Sequence, residues 1–164
     1  LHHEGLEIRP YTMGFATMVG EVAAVDPPQI GVALMTPRAR GRISLVSADP
    51  QVAPRIEHRY DTEPQDLAEL RRGVELLGAV VGTATSGTEP RWSTSQHLCG
   101  SAPMGNGGDR AAVLDAQCRV RGIAGLWVID GSALPTIPSR GPHATIAMLA
   151  QRAAALLCRQ GRMR

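Results

Sequence analysis

The sequence contains no lysine, few aromatic side chains and no long hydrophobic run. All 17 basic residues are arginines spread along the chain against 15 acidic residues, so no nucleic-acid-binding surface is expected. Aromatic residues make up 3% of the chain, which favours packing roles over a substrate cage for Trp92 and Trp127. No apolar stretch approaches the roughly 20 residues that a transmembrane helix needs. The composition, 43% hydrophobic and 20% charged, indicates a globular protein.

Cysteine is also scarce. Cys99, Cys118 and Cys158 are an odd number at long, unequal spacings, which is typical of neither a disulfide framework nor a zinc site. Free thiols fit a reducing cytoplasm, the expected location of the protein. The 164 residues suffice for one domain, but the opening at Leu1 indicates a sequence cut from a longer polypeptide.

The first half of the chain is predicted to be mostly sheet. Short apolar segments separated by Pro and Asp turns predict a piece of antiparallel sheet. The predicted strands are Leu6 to Arg9, Ala16 to Val25, Gly31 to Met35, Ile43 to Val46 and Arg55 to His58. Apolar residues then recur at helical spacing, which predicts an amphipathic helix from Asp66 to Val81 with Asp66 capping its first turn.

The second half begins with loops and ends with a strand and a helix. From Gly82 to Arg110 the chain is rich in Gly, Ser, Thr and Pro, which predicts loops with free backbone amides. The nearly all-apolar run Leu126 to Ile129 predicts a strand buried on both faces in a parallel sheet. A final helix is predicted to start near His143 and to end before Gly161. The expected fold class is therefore α+β, an antiparallel sheet with a helix followed by the terminal strand and helix of an incomplete α/β layer.

Three motifs follow one another in the second half. They are His97-Leu-Cys-Gly-Ser-Ala-Pro-Met-Gly105, Leu126-Trp-Val-Ile-Asp-Gly-Ser132 and Gly141-Pro-His143-Ala-Thr145. With the segment Pro37-Arg-Ala-Arg-Gly-Arg-Ile-Ser-Leu45, they resemble the C-terminal end of the glucose-methanol-choline (GMC) family of flavin oxidoreductases. The resemblance implies a substrate-binding cap over residues 1–96, and over residues 97–164 a catalytic loop with the C-terminal strand and helix of the FAD-binding domain.

One element of that family does not occur in the sequence. The Gly-x-Gly-x-x-Gly turn, which lets the backbone approach the pyrophosphate of FAD, has no counterpart with the right spacing. FAD is therefore expected to be bound mainly by sequence absent from this chain, and the fragment alone is expected to be inactive. The implied partners are an alcohol substrate, the missing N-terminal FAD-binding portion and an electron acceptor.

The resemblance also implies roles for single residues. His97 would be the general base that takes the hydroxyl proton of an alcohol while hydride passes to the N5 atom of the flavin. His143 would donate a hydrogen bond to the same oxygen and stabilise its developing charge. The implied cofactor-binding residues are Ala144 and Thr145, and Asp130 and Gly131 are added because they follow the predicted strand, at the end of a sheet where α/β folds bind cofactors. The Pro138-Ser-Arg-Gly-Pro142 loop is similar to that of members found beside the mycofactocin redox system, which would make a carrier alcohol a substrate.

Other functions remain open at this point. Ser101 or Ser132 with His97 and Asp130 could form a serine-hydrolase triad, although no Gly-x-Ser-x-Gly elbow exposes a nucleophile. Cys99, two residues from His97, could be a nucleophile, but a small buried thiol is the simpler interpretation. A non-catalytic module that binds a partner through its sheet edge is the third alternative.

Overall fold

The computed structural model describes residues 2–11, 29–82, 94–159 and 161, and the chain divides into two compact units. The first unit comprises Leu1–Gly41 and His58–Ser93, and the second comprises Arg42–Glu57 and Thr94–Arg164. Among the described residues there are two antiparallel sheets and two α-helices, so the α+β class is confirmed. The division at residues 96 and 97 concerns the domains of the complete protein and stays a prediction.

A three-stranded antiparallel sheet forms the first unit's framework. In their order across the sheet, the strands are β1 (His2–His3), β2 (Leu6–Tyr11) and β3 (Gln29–Leu34). β2 and β3 pair along their whole length, with Leu6 opposite Leu34. Leu6 and Ile8 are buried and the residue between them is not, which is the period of two expected for a strand with one face on the core. Two predicted strands are thus confirmed, and the strand predicted over Ala16 to Val25 lies outside the described residues.

Helix α1 (Pro64–Val81) packs on this sheet and confirms the predicted helix. Gly73 marks a close approach, because a β-carbon built there would lie 2.5 Å from Val32 Cγ1 and 3.3 Å from both Leu6 methyl carbons. A side chain at this position would have to displace the sheet or the helix. The missing side chain of Gly73 therefore sets how closely the helix packs.

The predicted capping role of Asp66 is wrong. The N-cap residue is Glu63, without a side-chain cap bond, and the helix begins with Pro64, whose fixed φ suits a first turn and which has no N–H to satisfy. Asp66 lies in the first turn, is 4% exposed, and accepts hydrogen bonds at 2.8 Å from the backbone amides of Arg38 and Ala39. Its carboxylate therefore holds a loop of the first unit against the helix.

The second unit contains a small hairpin of β4 (Arg42–Ser44) and β5 (Arg55–Glu57), with Ile43 opposite Ile56. Both strands were predicted, each slightly longer. Ile43 is 55% exposed and Ile56 is 54% exposed. The hairpin thus presents apolar side chains to solvent in this chain.

The rest of the second unit packs around a small core. The core residues are Leu114, Cys118, Ala133 and Leu149, with Met104, Val120, Val128, Ile129 and Leu134 partly buried against them. Helix α2 (His143–Arg159) contributes Leu149, and its predicted start and end are confirmed. Neither described helix combines the length and the apolar character that crossing a bilayer would require.

The strand predicted over Leu126 to Ile129 is wrong. The segment forms only an isolated antiparallel bridge at Trp127 opposite Arg119, and Leu126 is 45% exposed. Its hydrogen bonds go to the segment just before it, since Val128 N–H donates to the carbonyl of Cys118. A neighbour this close in sequence can pair only antiparallel, because a parallel neighbour requires a long crossover connection.

Candidate active site

The segment that follows His97 lies along the turn that precedes helix α2. The amide of Ala102 donates to the carbonyl of Ser132 at 3.0 Å, and the amide of Met104 donates to the carbonyl of Ala133 at 3.0 Å. These two bonds fix the register of the His97 segment against residues 131–135. Two of the three motifs singled out in the sequence are thus joined by backbone hydrogen bonds.

Gly100 allows the His97 segment to lie this close. Its φ of +82° is in the left-handed region, which glycine adopts without steric cost. A β-carbon built there would meet the carbonyl oxygens of Leu134 and Pro135 at 3.4 Å. The glycine of the His97-x-x-Gly100 motif is therefore required by its backbone conformation, while a β-carbon would make only ordinary contacts.

The imidazole of His97 lies against the loop that leads into helix α2. A β-carbon built on Gly141 would be 3.5 Å from His97 Cε1 and 4.0 Å from His97 Nε2. His97 is half-buried and its Nδ1 atom is shielded from solvent. His143, two residues after Gly141, is exposed and is the first residue of α2. The structure therefore brings His97 to the loop that carries His143, while the approach of both rings to one substrate atom stays a prediction.

Gly131 packs into the same region. A β-carbon there would lie 3.3 Å from Ile146 Cδ1, 3.4 Å from the carbonyl oxygen of Leu98 and 3.7 Å from Cys99 Sγ. Its space is thus bounded by helix α2 on one side and by the His97 segment on the other. A side chain at this position would have to displace the end of Ile146 slightly, and the predicted cofactor contact of Gly131 stays a prediction.

The start of helix α2 offers backbone donors beside His97. The amide of Ile146 donates to the carbonyl of Pro142 at 2.9 Å, so the amides of residues 143–145 precede that intrahelical bond. The first turn contains no acidic residue, so the partial positive charge of the helix terminus is not neutralised within the helix. Ala144 and Thr145, predicted to face the cofactor, contribute two of these amides.

Asp130 has a local structural role. Its carboxylate Oδ1 accepts hydrogen bonds from the amide of Ser132 at 2.8 Å and from the hydroxyl of Ser132 at 2.5 Å. It thereby caps the 3₁₀ turn Gly131–Ala133, which positions the partners of the His97 segment. A cofactor role for Asp130 stays a prediction.

Comparison with known proteins identifies the family. The family model described as GMC oxidoreductase matches residues 37–150, well over half of the chain. The chain belongs to the GMC oxidoreductase family. An uncharacterised GMC-type oxidoreductase of Rhodococcus erythropolis is 45% identical over 166 residues, which cover 93% of this chain and 34% of the relative. An oxygen-dependent choline dehydrogenase of Vibrio vulnificus is 32% identical over 151 residues, which cover 79% of this chain and 27% of the relative.

The fold is also found among solved GMC-like structures. A formate oxidase of Aspergillus oryzae superimposes with a TM-score of 0.72 at 19% identity, covering 98% of this chain and 32% of that chain. At this identity the likeness shows the fold alone. The chain spans between about a quarter and a third of the length of the relatives it matches and corresponds to the C-terminal portion of GMC oxidoreductases, which are FAD-dependent enzymes.

The hydrolase alternatives fit the geometry poorly. The hydroxyl of Ser132 donates to Asp130, so this serine is bonded directly to the carboxylate of the suggested triad. Cys99 Sγ donates to the carbonyl oxygen of His97, and burial, with the nearby charge of Asp130, raises the pKa of its thiol. A raised pKa disfavours the thiolate that a nucleophilic cysteine requires. Within the described ranges, no group of three or more His, Cys, Asp or Glu side chains could hold a metal ion.

Sequence reasoning missed the residues that hold the Met104–Gly105 turn, which ends the His97 segment. The guanidinium of Arg121 donates to the carbonyl of Gly105 at 2.5 Å, across 16 positions in sequence. A β-carbon on Gly105 would lie 2.7 Å from both Ala112 Cβ and Asp109 Oδ2, so the Met104–Gly105 turn tolerates no side chain. Gly141 occurs in the third motif, but its contact with the imidazole could not be read from spacing.

Proposed function

We propose that this chain supplies the alcohol-binding side of the active site of an FAD-dependent GMC enzyme. His97 takes the hydroxyl proton of the alcohol, and His143 donates to the same oxygen. The substrate is an alcohol whose CH–OH group is oxidised to a carbonyl. A carrier alcohol of the mycofactocin system stays a prediction from the loop at residues 138–142.

The contact between His97 and Gly141 carries the proposal. It puts a half-buried imidazole beside the positive terminus of helix α2, where a catalytic base and a set of backbone donors can serve one ligand. The two motifs that meet here are also the two that resemble the family's catalytic loops.

The environment of His97 suits proton transfer. Its Nδ1 atom is shielded from solvent, so Nε2 is the nitrogen that we expect to receive the proton. A neutral imidazole with a pKa near the working pH can accept the hydroxyl proton as the C–H bond breaks. The bonds of Ala102 and Met104 hold the backbone of this segment in register, which helps to keep the base in place.

His143 and the helix terminus complement the base. His143 is exposed at the first position of α2, where its imidazole can donate to the oxygen that becomes negative during oxidation. The amides of Ala144 and Thr145 follow directly. Donors that are fixed before the reaction stabilise developing charge without reorganisation.

The residues present fit one end of FAD. Amides of a helix terminus without an acidic first turn suit the electron-rich carbonyls of a flavin ring, and we assign this contact to Ala144 and Thr145, with Asp130 and Gly131 nearby. Bound FAD would accept the hydride that leaves the alcohol carbon. Its pyrophosphate would be held by sequence outside this chain, since no Gly-x-Gly-x-x-Gly turn occurs here.

The test replaces the base in the complete holoenzyme. His97→Ala should slow reduction of the flavin by alcohol by roughly 10²–10⁴-fold, the usual cost of removing a general base, with FAD still bound. The matched control is His58→Ala, because His58 stacks on Tyr60 in the first unit at a centroid distance of 5.0 Å. Stopped-flow absorbance measures both variants. A near-normal rate in the His97 variant, or an equal loss in the control, would rule out the assignment.

A further inference from the structure

Arg140 lies at the rim of the proposed active site. It immediately precedes Gly141, whose added β-carbon would be 3.5 Å from His97 Cε1, and adjacent α-carbons are only about 3.8 Å apart. The side chain of Arg140 is exposed. A long cationic side chain thus starts within one residue of the point where the loop contacts the catalytic imidazole.

The segments that build the site carry almost no charge. Residues 94–108 contain no Asp, Glu, Lys or Arg, and Arg140 is the only one of these in residues 131–147. The adjoining carboxylate, Asp130, accepts two hydrogen bonds from Ser132. Asp130 keeps its negative charge, which acts on Cys99, whereas Arg140 and the terminus of helix α2 place positive charge on the side of the loop that contacts His97.

Arg140 has no counter-ion in the part of the chain that the structure describes. Its guanidinium donates to the carbonyl of the adjacent residue Ser139 at 3.1 Å, and none of the described ion pairs includes it. Arg119, by contrast, pairs with Asp115 at 2.7 Å. The planar guanidinium of Arg140 therefore keeps donors that can bind an oxyanion in a bidentate manner.

We propose that the alcohol oxidised at this site carries an anionic oxygen group, a carboxylate or a phosphate, and that Arg140 binds it. This inference rests on the proposed function and names its substrate class. The hydroxyl would lie at His97 while the anionic group, at the other end of the molecule, points to the rim. Arg140 would then determine specificity without taking part in the proton transfer.

The experiment compares alcohols that differ only in the remote group. The complete holoenzyme is reduced anaerobically with para-(hydroxymethyl)benzoate, with its methyl ester, and with an ω-hydroxyalkyl phosphate alongside the corresponding diol. A charged hydrogen-bonded pair should favour the anion over its neutral partner by about 10–100-fold in kcat/KM. In Arg140→Gln this preference should fall to nearly one, Arg140→Lys should keep part of it, and added salt should weaken it in the wild type.

The matched control is Arg159→Gln, because Arg159 lies exposed in the last turn of the same helix, about 24 Å from its start at 1.5 Å per residue. This variant should keep the wild-type preference. Reduction by all four alcohols with no preference for the anions, or a preference unchanged in Arg140→Gln, would overturn the substrate class and leave the proposed function standing. No reduction by any alcohol would overturn both.

Discussion

Gly141 offers a direct test of the contact on which the proposed site depends. A β-carbon there would sit 3.5 Å from His97 Cε1, which is an ordinary carbon–carbon contact. Gly141→Ala should therefore be accommodated. Gly141→Val adds two methyl groups about 1.5 Å beyond that carbon, and only the rotamer that directs its hydrogen at the ring keeps both methyls away.

The size of the effect follows from how strongly catalysis depends on position. In the two rotamers that direct a methyl group at the ring, relief of the clash requires the imidazole, or the loop ahead of α2, to move by about 1 Å, and a displacement of that size costs about 10²-fold in rate. Alanine should change the rate by less than about threefold, because its methyl fills space without overlap. The rate of flavin reduction should thus be highest with glycine, slightly lower with alanine and lowest with valine. The largest difference in rate should lie between alanine and valine.

The assay is stopped-flow reduction of the complete holoenzyme by a saturating alcohol, with FAD content and thermal midpoint measured for each variant. Gly141 is exposed and precedes the helix, so neither variant should change the thermal midpoint appreciably. Wild-type rates in Gly141→Val would refute the reasoning. A loss of rate that is equal in both variants would also refute it, since the alanine methyl contacts the ring without overlap.

Three further predictions concern stability and assembly. Gly73→Ala should lower the thermal midpoint of the complete protein, because its β-carbon would lie 2.5 Å from Val32 Cγ1. Such overpacking costs about 1–3 kcal/mol and outweighs the roughly 1 kcal/mol gained in helix propensity. A higher midpoint would contradict this. Burial alone would raise the pKa of Asp115, but hydrogen bonds from Arg119 and Gln117 outweigh burial, and the pKa is lowered. The charged Asp115 therefore stabilises the fold at pH values above its ordinary pKa. This stabilisation is lost as the pH falls through the lowered pKa. Asp115→Asn should therefore melt below the wild type at neutral pH, with a difference that disappears in acid, and a constant difference would exclude the charge as the cause. Residues 1–164 expressed alone should bind a hydrophobic dye and no FAD, and micromolar FAD affinity with a cooperative monomeric melt in calorimetry would show a self-sufficient domain.

Local sequence predicted the elements whose signals are themselves local. A short apolar segment bounded by turn residues identified β2, and helical spacing identified α1 and α2, because both signals depend on residues within or next to one element. The strand predicted over Leu126 to Ile129 is absent because its formation depends on residues outside the segment. A buried apolar run indicates a strand only if neighbouring strands exist, and here the nearest partner was the antiparallel segment just before it.

The candidate site shows the same division. The motif pattern around His97 and His143 was visible in the sequence, since turn glycines and a helix start leave local signatures. Which of these residues meet was not visible. Asp66 had the position of a helix cap, yet its carboxylate holds the amides of Arg38 and Ala39, because burial against a distant loop outweighed the local role.

The sequence by itself determined both helices, the family and the chemical identity of the candidate base. The tertiary structure decided that Gly141 lies against the ring of His97, that Gly131 fits between helix α2 and Cys99, and that Asp130 holds its own turn. Two of these contacts, Gly141 with His97 and Gly131 with Cys99, join positions more than 30 residues apart in the chain. Such proximity arises from packing, and packing depends on all the side chains that fill the space between two segments rather than on the sequence of either one.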